Sequence, residues 1–240
     1  MHLLDITLES VIENIALDEA LLMYSEQTGK QYLRFWSPQQ YAVVMGRSGK
    51  LEQETETEYC RHNQIPVYRR PSGGGTILTG PGCLMYAIIL NSNLNPRLKE
   101  IQGCHDLVLG EMKKALHRIN IPCDILGISD LAIGDLKFSG NSLRLKRDSI
   151  LYHGTLLCEF DLEQISYTLR SPVKQPDYRQ NRPHAEFVTN LNHPESEVRS
   201  AIVDHWNPED QESEITPQIK SFHDELMAEK YQDANWNVLS

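Results

Sequence analysis

Apolar residues recur at helical spacing over residues 11–27, at Ile12, Ile15, Ala16, Leu17, Ala20, Leu21 and Met23, with Asp18 and Glu19 on the other side. Two β-prone runs follow, Tyr32–Trp36 and residues 41–45, separated by a Ser37-Pro38 turn. Residues 51–63 read as an acidic helix with a solvated face. Residues 66–68 lead into a glycine-rich stretch, and 84–90 reads as a buried strand. The spacing over 97–119 predicts a helix that turns Leu98, Ile101, Leu107, Val108, Met112, Leu116 and Ile119 inward. Runs at 130–134, 136–142 and 150–157, broken by glycine turns, predict an antiparallel ribbon. A short helix is expected over 161–169, and two more over 195–206 and 215–231. Residues 171–186 are rich in Pro, Arg, Gln and Asn and predict a long polar loop, suited to a lid or a partner contact. Together these elements predict an α/β fold over residues 1–240. A mixed or antiparallel sheet is packed by helices and accompanied by a smaller β-ribbon.

Composition narrows the class. Of 240 residues, 40% are hydrophobic, enough for a globular core, and no run approaches the roughly 18 apolar residues of a membrane span. The start of the chain lacks the basic flank and apolar core of a secretory signal. The five cysteines are scattered and odd in number, which favours neither a disulfide framework nor a paired zinc motif and fits a reducing cytoplasm. A net charge of −10 argues against broad nucleic-acid binding. It leaves room for a local basic site drawn from Arg69, Arg70, Lys137, Arg144, Lys146 and Arg147.

The chemistry concentrates in Arg69-Arg70-Pro71-Ser72-Gly73-Gly74-Gly75-Thr76, which runs on into Thr79-Gly80-Pro81-Gly82-Cys83-Leu84-Met85-Tyr86. Three adjacent glycines weaken a helix or strand but let a backbone approach a ligand closely, or turn its N–H groups towards an anion. Paired arginines can grip phosphate or carboxylate. The plain alternative is a glycine-rich hairpin with solvated arginines. Lys137 lies between Gly134 and Gly140, where a long cation can reach over a cleft; an exposed ribbon lysine is the simpler reading. His153 precedes Gly154 and Thr155 and suits a buried, hydrogen-bonded histidine better than a general base.

These segments resemble the lipoate–protein ligase A family, part of a superfamily with biotin–protein ligases and octanoyltransferases. The Arg-Arg-x-Ser-Gly-Gly-Gly loop is similar to its signature. The stretch from Gly134 to Ser142 is similar to its lysine motif, and Tyr152-His153-Gly154-Thr155-Leu156-Leu157 to its His-Gly-Thr-Leu-Leu strand. Asn14-Ile15-Ala16-Leu17-Asp18-Glu19 looks like its first helix. The resemblance implies a ligase that activates lipoate or octanoate with ATP and Mg²⁺ as the acyl-adenylate. It then transfers the acyl group to a lysine of a lipoyl domain, in 2-oxoacid dehydrogenases or the glycine-cleavage H protein.

It further implies Lys137 as the catalytic residue at the acyl carbonyl and phosphate, and an apolar tunnel for the acyl chain, for which Leu78, Leu84, Tyr86 and Leu156 are candidate walls. Arg47, Arg69, Arg70, Ser72, Gly73, Gly74, Gly75, Thr79, Asp130, Gly140, Asn141, His153, Gly154 and Thr155 become cofactor-binding candidates, with Asp130 also a metal candidate. A turn role is the alternative for Arg47 and for Asp130. Thr79 stands where the family commonly has a histidine. Typical ligases carry a further C-terminal domain, expected here to be absent or supplied by a separate accessory subunit. An ATP-independent acyltransferase would instead need a thiolate, for which Cys83 and Cys123 are the candidates. A non-catalytic acyl-binding homologue is a third reading. No nucleic-acid or membrane partner is implied.

Overall fold

A computed structural model describes residues 1–237. Two sheets form. The larger has eight strands in the order β11-β1-β2-β6-β10-β9-β8-β7. Along the chain these are β1 (His2–Asp5), β2 (Tyr32–Trp36), β6 (Cys83–Asn91), β7 (Asp124–Leu126), β8 (Asp130–Ile133), β9 (Leu136–Leu145), β10 (Ser149–Leu157) and β11 (Asp210–Glu212). Pairing is parallel for β11-β1-β2 and antiparallel from β2 onwards. The smaller sheet is β4-β3-β5, from β3 (Ala42–Met45), β4 (Val67–Arg69) and β5 (Ile77–Thr79), and it holds the glycine loop between β4 and β5. The helices are α1 (Val11–Thr28), α2 (Leu51–Glu54), α3 (Thr57–His62), α4 (Ile101–His117), α5 (Glu163–Thr168), α6 (His184–Phe187), α7 (Glu195–Trp206), α8 (Pro217–Leu226) and α9 (Ala234–Asn237).

The central strands separate two cores by the period-2 alternation of their side chains. Leu84, Tyr86, Ile88 and Leu90 of β6 face the layer of α4 and α7, with Val108, Met112, Leu116, Val198 and Ile202. Ala87 and Ile89 face α1, and Cys83 and Met85 face the small sheet. Helix α1 begins in a capping box: Ser10 Oγ accepts from the Glu13 N–H and the Glu13 carboxylate accepts from the Ser10 N–H. It ends at Gly29, whose φ of 74° is the left-handed cap that glycine adopts without strain.

Several sequence expectations shift. The ribbon predicted over 130–157 forms, but it is the edge of the main sheet rather than a separate unit. Residues 97–119 split into a 3₁₀ turn at Pro96–Lys99 and α4, and Ile101 at the break is 57% exposed rather than inward. The acidic helix over 51–63 divides into α2 and α3 at Thr55, which bridges to Leu169. The loop over 171–186 carries a 3₁₀ turn (Asp177–Arg179) and α6.

The largest shift concerns α1. Asp18 and Glu19, expected on its polar side, are buried, because the sheet covers one flank of the helix and the C-terminal segment covers another. Each has a partner. Asp18 is paired with the fully buried Arg34, which also donates to the Asn14 carbonyl at 3.0 Å and to Asn14 Oδ1 at 2.6 Å. Glu19 accepts from Lys230 Nζ at 2.6 Å and from the Tyr231 hydroxyl. Arg34→Ala would leave the buried Asp18 carboxylate without its guanidinium partner, with only His153 Nδ1 at 3.7 Å beside it. It is expected to cost about 3–5 kcal/mol, read as a lower denaturant midpoint at unchanged slope. A loss under about 1 kcal/mol would show that Asp18 does not depend on Arg34.

Candidate active site

A cavity of about 170 Å³ lies between α1, the glycine loop and the β8-β9-β10 edge. Its polar wall holds Asp18, Arg70, Asp130, Lys137 and His153 with the glycines 74, 75, 140 and 154; its apolar wall holds Ile15, Trp36, Val44, Ile77 and Met85. Leu78, Leu84, Tyr86 and Leu156, named above as tunnel walls, belong to neighbouring core instead. The misassignment is one of parity. Met85 and Ile77, each one residue away, point to the cavity while their neighbours point elsewhere.

Lys137 reaches the cavity through a bulge. Ala132 pairs with Lys137 and Leu131 with Ser139, so Phe138 is an extra residue on β9. Phe138 drops into the α4 core, and Lys137 and Gly140, three positions apart, share one face. A Cβ on Gly140 would stand 3.0 Å from Lys137 Nζ, so the glycine makes the lysine's space. The ammonium lies 2.7 Å from Asp130 Oδ1, and Asp130 Oδ2 accepts from the Tyr178 hydroxyl at 2.7 Å. Tyr178 belongs to the polar loop and is not apparent in the sequence as a site residue.

The glycine loop is held by Arg70. Its guanidinium donates to the carbonyls of Val44 (3.1 Å), Gly73 (2.5 Å) and Gly75 (2.8 Å) and to Ser72 Oγ (3.0 Å). Burial pulls its pKa down to about 10, which still leaves it cationic at neutral pH. Gly73 and Gly75 face open space, whereas Gly74 has φ +83°. Gly46, which the resemblance pairs with Arg47 near the ligand, lies against this loop: a Cβ there would meet the Gly74 carbonyl oxygen at 2.0 Å. Ser72 Oγ is 2.5 Å from His153 Nε2, and His153 Nδ1 is 3.7 Å from Asp18 Oδ2. Gly154 accommodates Asn141, whose Oδ1 would lie 1.9 Å from a Cβ there. That oxygen accepts from the Tyr86 hydroxyl at 2.5 Å, and Asn141 Nδ2 donates to the Ser129 carbonyl at 2.8 Å. Thr155 Oγ1 accepts from the Gly140 N–H at 3.4 Å.

Five expected binders lie outside the cavity wall: Ser72 and Gly73, both bonded to Arg70, and Arg69, Arg47 and Thr79. The Arg69 guanidinium is buried against the carbonyls of Gly46, Gly49 and Trp236, where it ties the small sheet to α9. Arg47 is exposed, and its N–H donates to the Ser72 carbonyl at 2.8 Å. Thr79 is buried and sits 3.2 Å from Met85 Sδ, behind the apolar wall. The candidate nucleophiles fare no better. Cys83 and Cys123 are buried away from the cavity, and burial pushes their thiols up to about 12 and about 11. A thiolate at neutral pH is therefore disfavoured at both. Among the described residues, no group of three or more His, Cys, Asp or Glu side chains is arranged to hold a metal, and no helix is long and apolar enough to cross a membrane.

Comparison with known proteins gives the family and the fold. The chain belongs to the lipoyl protein ligase A/B catalytic domain family, whose model matches residues 10–203. A relative from Aeropyrum pernix named for lipoate-protein ligase A is 31% identical over 153 residues, covering 63% of this chain and 55% of that one. The chain spans about half the length of the first curated relatives it matches. The fold matches solved structures at greater length. One describes a bipartite lipoate protein ligase and its E2 lipoyl domain from Thermoplasma acidophilum (TM-score 0.81, 21% identity, covering 99% of this chain and 95% of that one). Another, also from T. acidophilum, has bound lipoic acid (TM-score 0.82, 21% identity, 100% and 99% covered). A lipoate-protein ligase A bound with ATP aligns with a TM-score of 0.79 at 22% identity, over 99% of both chains.

The cysteine environments give a direct test. All five cysteines are free and buried. Titration of the native chain with an aromatic disulfide reagent at pH 7.5 is expected to show almost no fast-reacting thiol, and all five thiols after denaturation. One fast thiol in the native protein, mapped to Cys83 or Cys123, would revive the thioester route.

Proposed function

We propose that the chain is the catalytic part of a lipoate–protein ligase. It activates lipoate, or octanoate, with ATP as the acyl-adenylate and passes the acyl group to a lysine of a lipoyl domain. The observation that carries this reading is the Lys137 ammonium at the seam between the apolar wall and the arginine-bound glycine loop. An acyl chain fits the side of Ile15, Trp36, Val44, Ile77 and Met85, which puts its carboxylate at the polar side. The cationic Arg70, with the loop it organises, is suited to the phosphate of the adenylate. When the acceptor amine attacks the acyl carbon, a C–N bond forms, the acyl–phosphate C–O bond breaks, and AMP leaves with the electron pair. Negative charge grows on the carbonyl oxygen during attack, and Lys137 is the donor placed to stabilise it.

Both Asp130 oxygens are engaged by Lys137 and Tyr178, so Asp130 fits poorly as a metal ligand. The buried, free cysteines suit a reducing compartment, and we place the activity in the cytoplasm. The bipartite T. acidophilum ligase motivates supplying an accessory subunit, and lipoyl domains of 2-oxoacid dehydrogenases or the H protein are the acceptors to try.

The test is incubation with an apo lipoyl domain and lipoate, with and without Mg-ATP and an accessory subunit, read by mass. Product that requires ATP supports the ligase; transfer from acyl carrier protein without ATP overturns it. Lys137→Ala should stay folded and lose on the order of 10²-fold in acyl transfer, as removal of one oxyanion donor does elsewhere. Near-normal turnover in the folded variant would remove Lys137 from the mechanism.

A further inference from the structure

The polar loop over 171–186 is bound to the hairpin that carries Lys137. Asp177–Arg179 forms a 3₁₀ turn that sets the half-buried Tyr178 over Asp130. Gln180 and Asn181 follow with φ of 52° and 60°. Consecutive left-handed residues without glycine are strained, most of all for glutamine, so the surroundings must hold this reversal in place. It returns Arg182 to the hairpin tip, 2.9 Å from Asp135 Oδ2, with a second nitrogen donating to the Asp135 carbonyl at 2.9 Å. The guanidiniums of Arg179 and Arg182 stand 4.6 and 5.4 Å from the ring centroid of the buried Phe187. The chain then pairs with Lys137 itself, whose carbonyl accepts from the Thr189 N–H at 2.9 Å. On the opposite side Gly127, with φ +59°, admits the tyrosine ring: a Cβ there would be 3.3 Å from Tyr178 Cε1.

All these contacts converge on one hydroxyl and one carboxylate. A carboxylate has two oxygens and can rotate between partners. With Oδ2 fixed by Tyr178, Oδ1 is turned to the Lys137 ammonium. A hydrogen bond to a charged acceptor is stronger than one between neutral groups, so the phenol constrains the carboxylate effectively. Burial and the neighbouring Asp130 charge push the phenol's pKa far up, so it remains a donor across the working pH range.

We propose that Tyr178 is a positioning residue for Lys137, acting through Asp130. The phenol orients the carboxylate, the carboxylate aims the ammonium into the cavity, and the loop's attachment to the hairpin keeps the three in register. The role rests on the ligase reading only where turnover is measured.

Tyr178→Phe removes the hydroxyl and keeps the ring, Asp130→Asn removes the acceptor charge, and the double variant tests the route. Two readouts are taken on the full chain. The first is the kinetics of acyl-adenylate formation and of transfer to an apo lipoyl domain. The second is the rate at which an amine-acylating reagent labels Lys137, followed by peptide mass spectrometry and independent of turnover. Tyr178→Phe is expected to lower kcat about tenfold with KM for the acid and for ATP within about twofold, since the defect lies in aim rather than in ground-state binding. Labelling of Lys137 should accelerate several-fold as the amine loses its fixed partner, and in the Asp130→Asn background the tyrosine change should add nothing. Wild-type kcat and labelling in Tyr178→Phe would overturn the proposal, as would full additivity with Asp130→Asn. If the wild-type chain forms no adenylate, the ligase reading fails by itself and the labelling cycle still decides the role of Tyr178.

Discussion

One fully buried guanidinium, Arg34, organises the path from the central sheet to the glycine loop. It neutralises Asp18 and ties down the start of α1 through Asn14 and the Ile6 carbonyl. Asp18 lies beside His153, His153 meets Ser72, and Ser72 accepts from Arg70, which grips the loop carbonyls. Each link is buried or nearly so, and each polar group hands its neighbour an orientation. A buried charge without a partner is far more costly than one with a well-placed partner, so the chain of contacts is mutually reinforcing. The loop's conformation is inherited from the hydrophobic core by way of polar side chains.

This arrangement also explains how the glycine loop can stay open. Arg70 and Ser142 take up the Gly73 carbonyl and Arg70 takes the Gly75 carbonyl, so the loop is fastened from behind by its acceptors. Gly46 lets the end of β3 lie against Gly74 from a third side. The absence of a side chain at Gly75, which lines the cavity, leaves that side unobstructed. Rigidity and access, which compete in most loops, are here supplied by different atoms of the same residues.

Much of this was legible in the sequence, and the limits have physical causes. Strand and helix positions followed from periodicity, as with β2, β6, α4 and α7. The glycine loop stood out by its residue types, Lys137 and His153 by the resemblance of their segments to family motifs, and the fold brings them to one cavity. Burial of charge was not legible. Asp18 and Glu19 look like a solvent face until Arg34 and Lys230, sixteen and more than two hundred positions away, supply partners. Parity across a strand could not be read either, which is why Leu84 and Tyr86 were taken for cavity walls in place of Met85. Arg69 and Arg70 are adjacent and chemically identical, yet only Arg70 lines the cavity, because successive side chains at the end of a strand diverge. Tyr178 lay in a loop without periodicity, where sequence gives no direction to a side chain.

The extra residue at Phe138 has a consequence for how this chain can vary. A regularly paired ladder of the same length would carry the ammonium to the face where α4 packs, and the bulge at Phe138 returns it to the cavity. Regular hydrogen bonding and correct placement of the lysine therefore oppose each other within β9. The pairing register between the Gly134 turn and Gly140 is then held more tightly than the identity of its residues. A slip of one in that register exchanges inside for outside, whereas many substitutions that keep it leave the lysine where it is.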